Sequence, residues 1–161
     1  MKQAEYPALY KRVYALFENV TPLKTDCGVL CGGACCRGDE NTGMLLFPGE
    51  QTALRVTENN GQRIAVCAGA CERSARPLSC RIFPLFPCVD HNGKVRVRVD
   101  PRALGVCPLA RQWENVRFDP RFRRRVKKAG KLLLRDPACA AFLREITAEL
   151  EEISSFNEIL K

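Results

Sequence analysis

Four of the chain's ten cysteines stand within the stretch "DCGVLCGGACCRGDE", at Cys27, Cys31, Cys35 and Cys36, and this crowding limits what the region can become. The surrounding residues 21–48 are rich in glycine and poor in apolar periodicity, and the stretch is too long for an ordinary structureless loop inside a compact domain. Something other than apolar packing must order it. The sulfurs could cross-link the chain, carry out thiol chemistry, or hold a metal.

Cross-linking depends on the redox compartment. No apolar run approaches the eighteen or so residues that a membrane span needs, and Glu5, Lys11, Arg12 and Glu18 stand where a signal peptide would place an apolar core. The chain therefore reads as cytoplasmic, where thiols are kept reduced and clustered cysteines point to metal or to catalysis rather than to a disulfide scaffold. Nucleophilic catalysis of the cysteine–histidine type has only His91 as a base. That residue flanks an Asn-Gly turn, where a solvated tip is the expectation.

Metal binding remains. Short Cys-x3-Cys loops let two sulfurs converge on one ion, and Gly28, Gly32 and Gly33 supply the positive φ values such a wrap demands. Cys35 and Cys36 are adjacent and point apart, so each can serve a different centre or one can ligate while its neighbour packs. Cys67-x3-Cys71 repeats the spacing, Cys80 lies inside "RPLSCRIFP", and Cys107 precedes Pro108. Four thiolates suit tetrahedral zinc, and the same residue type holds iron–sulfur clusters, so spacing leaves the metal open.

The cysteine cluster ending in Cys35-Cys36, the "PGE" that follows, Cys67 and Cys71, and "RPLSCRIFP" together resemble the YkgJ-type cysteine-cluster family, a zinc- or iron-chelating domain that also occurs in flagellin lysine N-methylase. The likeness runs from Cys27 to Leu109. It implies a metal site drawn from Cys27, Cys31, Cys35, Cys36, Cys67, Cys71, Cys80 and Cys107, with zinc as the expected ion and an iron–sulfur cluster as the alternative. A shared cysteine domain does not carry over methylase activity, so whether the chain is an enzyme stays open between a non-catalytic chelator and an iron–sulfur protein with an enzymatic or accessory role. Cys88 either replaces Cys107 as a ligand or packs in the core. Cys139 lies on the apolar face of the last helix and reads as core. Arg76 and Arg81 flank Cys80 and are either donors to thiolate sulfur or solvated.

The formal charge is +8 with thiols counted neutral. Eight thiolates on two dications would lower it to about +4, because ligating cysteines are deprotonated. "RFRRRVKKAGKLLLR", from Arg121 to Arg135, concentrates eight cations without an acid. Nucleic acid is one partner for such a surface. The following helix brings Glu145, Glu149, Glu151, Glu152 and Glu158, and an acidic partner within the molecule or across subunits is the favoured expectation.

The rest of the chain sets an α+β fold. Leu9, Val13, Leu16 and Phe17 repeat at helical spacing over residues 6–20. Pro48-Gly49-Glu50 predicts a short helix to about Val56, and Asn59-Asn60-Gly61 a turn into a strand over residues 63–66. Residues 86–89 and 94–99 flank His91-Asn92-Gly93 and predict a hairpin in which Asn92 and Gly93 both take positive φ, with Val95, Val97 and Val99 inward and Lys94, Arg96 and Arg98 outward. Asp119-Pro120 and Asp136-Pro137 each read as an N-cap followed by proline at the first helical position, starting helices over 121–134 and 138–156. The expected whole is one small domain, residues 1–161: a metal-bound cysteine-rich half (21–109), a β-hairpin or small antiparallel sheet, and flanking helices that include a C-terminal pair (119–160).

Overall fold

The computed structural model describes residues 6–24, 33, 43–67, 69, 72–115 and 117–159. The fold is α+β, with two small antiparallel sheets and helices towards both ends of the chain. Helix α1 (Tyr6–Ala15) buries Leu9, Tyr10 and Val13. It ends earlier than its periodicity predicts. Leu16 and Phe17 instead donate to carbonyls three residues back, at Val13 and Tyr14, and this tighter turn still turns both side chains into the core.

The first sheet joins β1 (Met44–Leu45), β2 (Arg55–Asn59) and β3 (Gln62–Val66) in the order β1-β3-β2. The helix expected from Pro48 to Val56 is absent; a turn at Pro48 and Gly49 and the strand β2 take its place. Gly49 has φ +71, outside helical backbone, and a Cβ there would lie 2.3 Å from the Tyr6 ring. Between β2 and β3, Asn60 (φ 51) and Gly61 (φ 78) form the two-residue turn whose twist suits a hairpin.

A 3₁₀ turn at Arg73–Ala75 and helix α2 (Leu78–Ile82) lead into β4 (Leu85–Val89), which pairs with β5 (Val95–Val99). Asn92 is not in the left-handed region; Gly93 alone carries the positive φ of that loop. The Asp90 carboxylate explains the change, because it accepts the N–H of Asn92 and of Lys94, each at 2.9 Å, and holds a longer turn. β4 is buried along its whole length, and β5 shows the expected basic outer side at Arg96 and Arg98.

A second 3₁₀ segment (Pro101–Gly105) and helix α3 (Pro108–Arg111) precede the C-terminal pair, α4 (Pro120–Leu133) and α5 (Pro137–Ile159). Both expected N-caps are present: Asp119 accepts the Arg121 N–H, and Asp136 the Cys139 N–H. Gly130 lets α4 press on the hairpin, since a Cβ would meet Pro87 Cβ at 2.7 Å and Val95 Cγ1 at 2.9 Å. Val13, Leu78, Ile82, Leu85, Phe122, Val126, Leu133, Leu143 and Ile146 belong to one buried cluster, so α1, α2, β4, α4 and α5 share a core. Among the described residues no helix is long and apolar enough to cross a membrane.

Among the described residues, no acidic partner for the cations of 121–135 beyond the cap Asp119 is found within the molecule. Among the described residues the one ion pair on α4 is Arg121 with its own cap, Asp119. On α5, Glu149 accepts from Gln62 and Glu151 stands 4.0 Å from Arg98. The β4–β5 hairpin lies beside both helices and offers Arg98 to Glu151, while β3 of the other sheet offers Gln62 to Glu149, in place of α4.

Candidate metal centre

At the centre of the described part of the sulfur region lies a carboxylate, not a thiol. Glu50 is fully buried. The left-handed Gly49 turns the chain so that the Glu50 N–H reaches Phe47 O, while Glu50 Oε2 accepts the Phe47 N–H at 3.0 Å. Its other oxygen, Oε1, accepts the Leu78 N–H at 2.6 Å and the Tyr14 hydroxyl at 2.5 Å.

Leu78 opens α2, and an N-terminal helical N–H has no partner inside its own helix. Pro77 makes no side-chain cap, so Glu50 performs the capping from across the chain. Burial raises the Glu50 carboxyl above the ordinary value, and the three donors pull against that shift. All three partners offer hydrogens to it, an arrangement suited to the ionised form.

The same cluster positions Cys80, in the middle of α2. The neighbouring Ser79 hydroxyl donates to Leu45 O on β1. Arg81 on the other side lies over the Tyr14 ring, 4.3 Å from its centroid, and donates to Arg76 O and Ser74 O. The guanidinium thus braces the 3₁₀ turn before α2.

Of the expected ligands, Cys67, Cys80 and Cys107 fall among the described residues, and all three are thiols in no disulfide. Cys67 is buried just beyond β3. Cys80 is half-buried, and Cys107 is buried at the N-cap position of α3. Cys27, Cys31, Cys35, Cys36 and Cys71 lie outside the described residues, although Gly33 among them has the positive φ (+70) expected of the glycines in that stretch. Among the described residues no three His, Cys, Asp or Glu side chains come together as a metal site.

What the described residues do fix is where the backbone enters and leaves the sulfur-rich stretch. On the entering side, Arg73 donates to Phe17 O and Val20 O, at 3.2 and 3.4 Å, and Pro22 O accepts the Asp119 N–H at 2.8 Å. On the leaving side, Met44 pairs with Ala65, and Gly43 packs so closely that a Cβ would lie 2.5 Å from Ala65 O. Ala65 is two residues before Cys67, and Arg73 two after Cys71. Both ends of the stretch are therefore bonded to the segment that carries the second cysteine group.

The other two described cysteines belong to the core cluster. Cys88 sits on β4, where burial pushes its thiol up. Cys139 is fully buried on α5, as its place on the apolar face predicts; its Sγ lies 3.8 Å from the Tyr10 hydroxyl, and burial, with the Asp136 carboxylate beside it, pushes the thiol up to about 12. His91 is exposed at the hairpin tip.

Sequence reasoning missed the parts played by Glu50, Tyr14, Ser79 and Arg73. For Glu50 a signal exists in "LLFPGE", an acid that closes an apolar run. The others depend on partners distant in sequence and carry no local mark. Compared with known proteins, the chain matches no family model, no curated protein and no solved structure.

Proposed function

We propose that this chain is a metal-chelating protein of the YkgJ-type cysteine-cluster kind. Thiolates from Cys27, Cys31, Cys35, Cys36, Cys67, Cys71, Cys80 and Cys107 hold zinc or, in its place, an iron–sulfur cluster. The observation that carries this reading is the anchoring just described. Arg73 and Ala65 bracket Cys67 and Cys71, and they bind the chain on the two sides of the first cysteine group. Ser79, next to Cys80, is bonded to the same leaving strand. The described residues that flank the two cysteine groups, Phe17 and Val20 with Arg73 and Met44 with Ala65, are thus bonded to one another across the sequence, the arrangement expected if both groups contribute to one ligand set.

The donor chemistry fits. The three described candidates are thiols in no disulfide, two of them buried, and thiolate sulfur suits zinc and iron–sulfur clusters alike. Such a site belongs in a reducing compartment, and we place the protein in the cytoplasm on that ground. A closed four-sulfur zinc centre has no open position for substrate and favours a structural or metal-handling role. A cluster, or a centre with an open position, favours an enzymatic or accessory role, including one in protein lysine methylation.

The test is purification without oxygen, followed by an absorption spectrum and elemental analysis. Colourless protein with bound zinc supports the chelator, and a brown protein with iron and sulfide supports the cluster-bearing role. Folded protein that contains neither metal, and whose unfolding is indifferent to a chelator, overturns the proposal.

A further inference from the structure

Between the hairpin and the two C-terminal helices runs an open groove of about 1220 Å³. Its walls carry Arg96 and Arg98 from β5, Arg123, Arg124 and Lys127 from α4, and Arg144 from α5. All six are exposed. Against them stand two carboxylates, Asp90 and Glu151. Asp90 engages Arg96 at 3.2 Å, and Glu151 reaches Arg98 only at 4.0 Å between two exposed side chains. The Arg123 guanidinium donates to Val97 O, which fixes it over the strand.

Six cations drawn from three elements repel one another, and a wall of this kind is held against that repulsion most readily when an anion occupies it. The groove is too large for one phosphate. Its cations also repeat: Arg96 and Arg98 share a strand face at roughly 7 Å, the two-residue period of a β-strand. Lys127 follows Arg123 by one helical turn, roughly 5–6 Å away. Five of the six are arginines, whose planar fork can grip phosphate oxygens in pairs.

The lining also separates the candidate polyanions. Its apolar members are Val89, Val95, Val97 and Ala148, and its one aromatic ring is the exposed imidazole of His91 at the hairpin tip. A single small ring is no run of platforms for successive unstacked bases, and a protein partner would find no Trp, Tyr or Phe anchor. What the groove offers is charge for a backbone. We propose that it binds the phosphodiester backbone of a nucleic-acid duplex without regard to base sequence.

Fluorescence anisotropy of a labelled mixed-sequence duplex, titrated with the full-length protein over a range of salt, tests this. Each phosphate neutralised contributes about −0.9 to the slope of log affinity against log salt, so the expected slope is roughly −3 to −5. Reversing two groove charges (Arg124→Glu with Lys127→Glu) lowers affinity by at least about tenfold and flattens the slope by about two. The matched reversal of two exposed α1 charges (Lys11→Glu with Arg12→Glu) leaves both within about threefold, since the net charge change is the same but lies outside the groove. No binding at low salt overturns the proposal, as does equal loss in the two double variants. Polyglutamate that displaces the duplex at matched charge also overturns it, in favour of an acidic protein.

Discussion

Glu50 Oε1 accepts the backbone N–H of Leu78 at 2.6 Å across 28 residues of sequence. Through this one contact the turn after β1 caps the helix that carries Cys80. Tyr14 adds α1 to the same oxygen, and Arg63 donates to the Glu50 carbonyl from β3. Glu50 therefore joins four elements around the second cysteine group, three through its buried carboxylate and β3 through its backbone carbonyl.

Removing that carboxylate leaves two buried N–H groups, on Phe47 and Leu78, without acceptors, and each such loss costs about 1–3 kcal/mol. Glu50→Ala is expected to destabilise by roughly 3–5 kcal/mol in urea unfolding. Glu50→Gln keeps one acceptor but turns an amide donor towards a donor, and should lie between Glu50→Ala and the unaltered protein. Equal stability of all three would show that Glu50 does not cap α2.

Metal content should separate the two kinds of cysteine. Cys36→Ser lowers bound metal and thermal stability together, because a ligand set that exists only in the folded chain stabilises that chain through its binding free energy. Cys139→Ser, in the apolar core, changes metal content little. Elemental analysis of the two variants beside the unaltered protein reads the contrast, and equal metal loss in both would undo the division between ligand and core.

Cys139 also gives a pH prediction. Its folded thiol titrates near 12, above the ordinary thiol value of 9.0. A raised value means that the folded chain holds this proton more tightly than the unfolded one. The stability this supplies is complete below the unfolded value and is lost as pH rises from about 9 towards 12, on the order of 1 kcal/mol per pH unit. The stability difference between the unaltered protein and Cys139→Ala should shrink over that window. Since the thiolate is the nucleophile, iodoacetamide at mildly alkaline pH should modify Cys139 only after unfolding.

Local chemistry made much of this fold legible in the sequence. Asp119-Pro120 and Asp136-Pro137 start helices because their capping partners lie two or three residues away. Alternation at Val95–Val99 set the buried and basic sides of β5, and the spacing of Phe122, Val126, Ala129 and Leu133 set the inner face of α4. Asn60-Gly61 turns the chain through φ values that these two residue types tolerate.

Tertiary structure decided the rest, for a common reason: the deciding partner is remote in sequence. Pro48-Gly49-Glu50 looks like a helix start when only neighbours are counted. Leu78 and Tyr14 claim the Glu50 carboxylate from 28 and 36 residues away, and the Tyr6 ring closes over Gly49. The cations of α4 looked matched to the glutamates of the next helix, yet a charge is neutralised only by what packs within reach, and the hairpin occupies that position. Residue type determined which groups this protein has available, and the folded path of the backbone determined which of them meet.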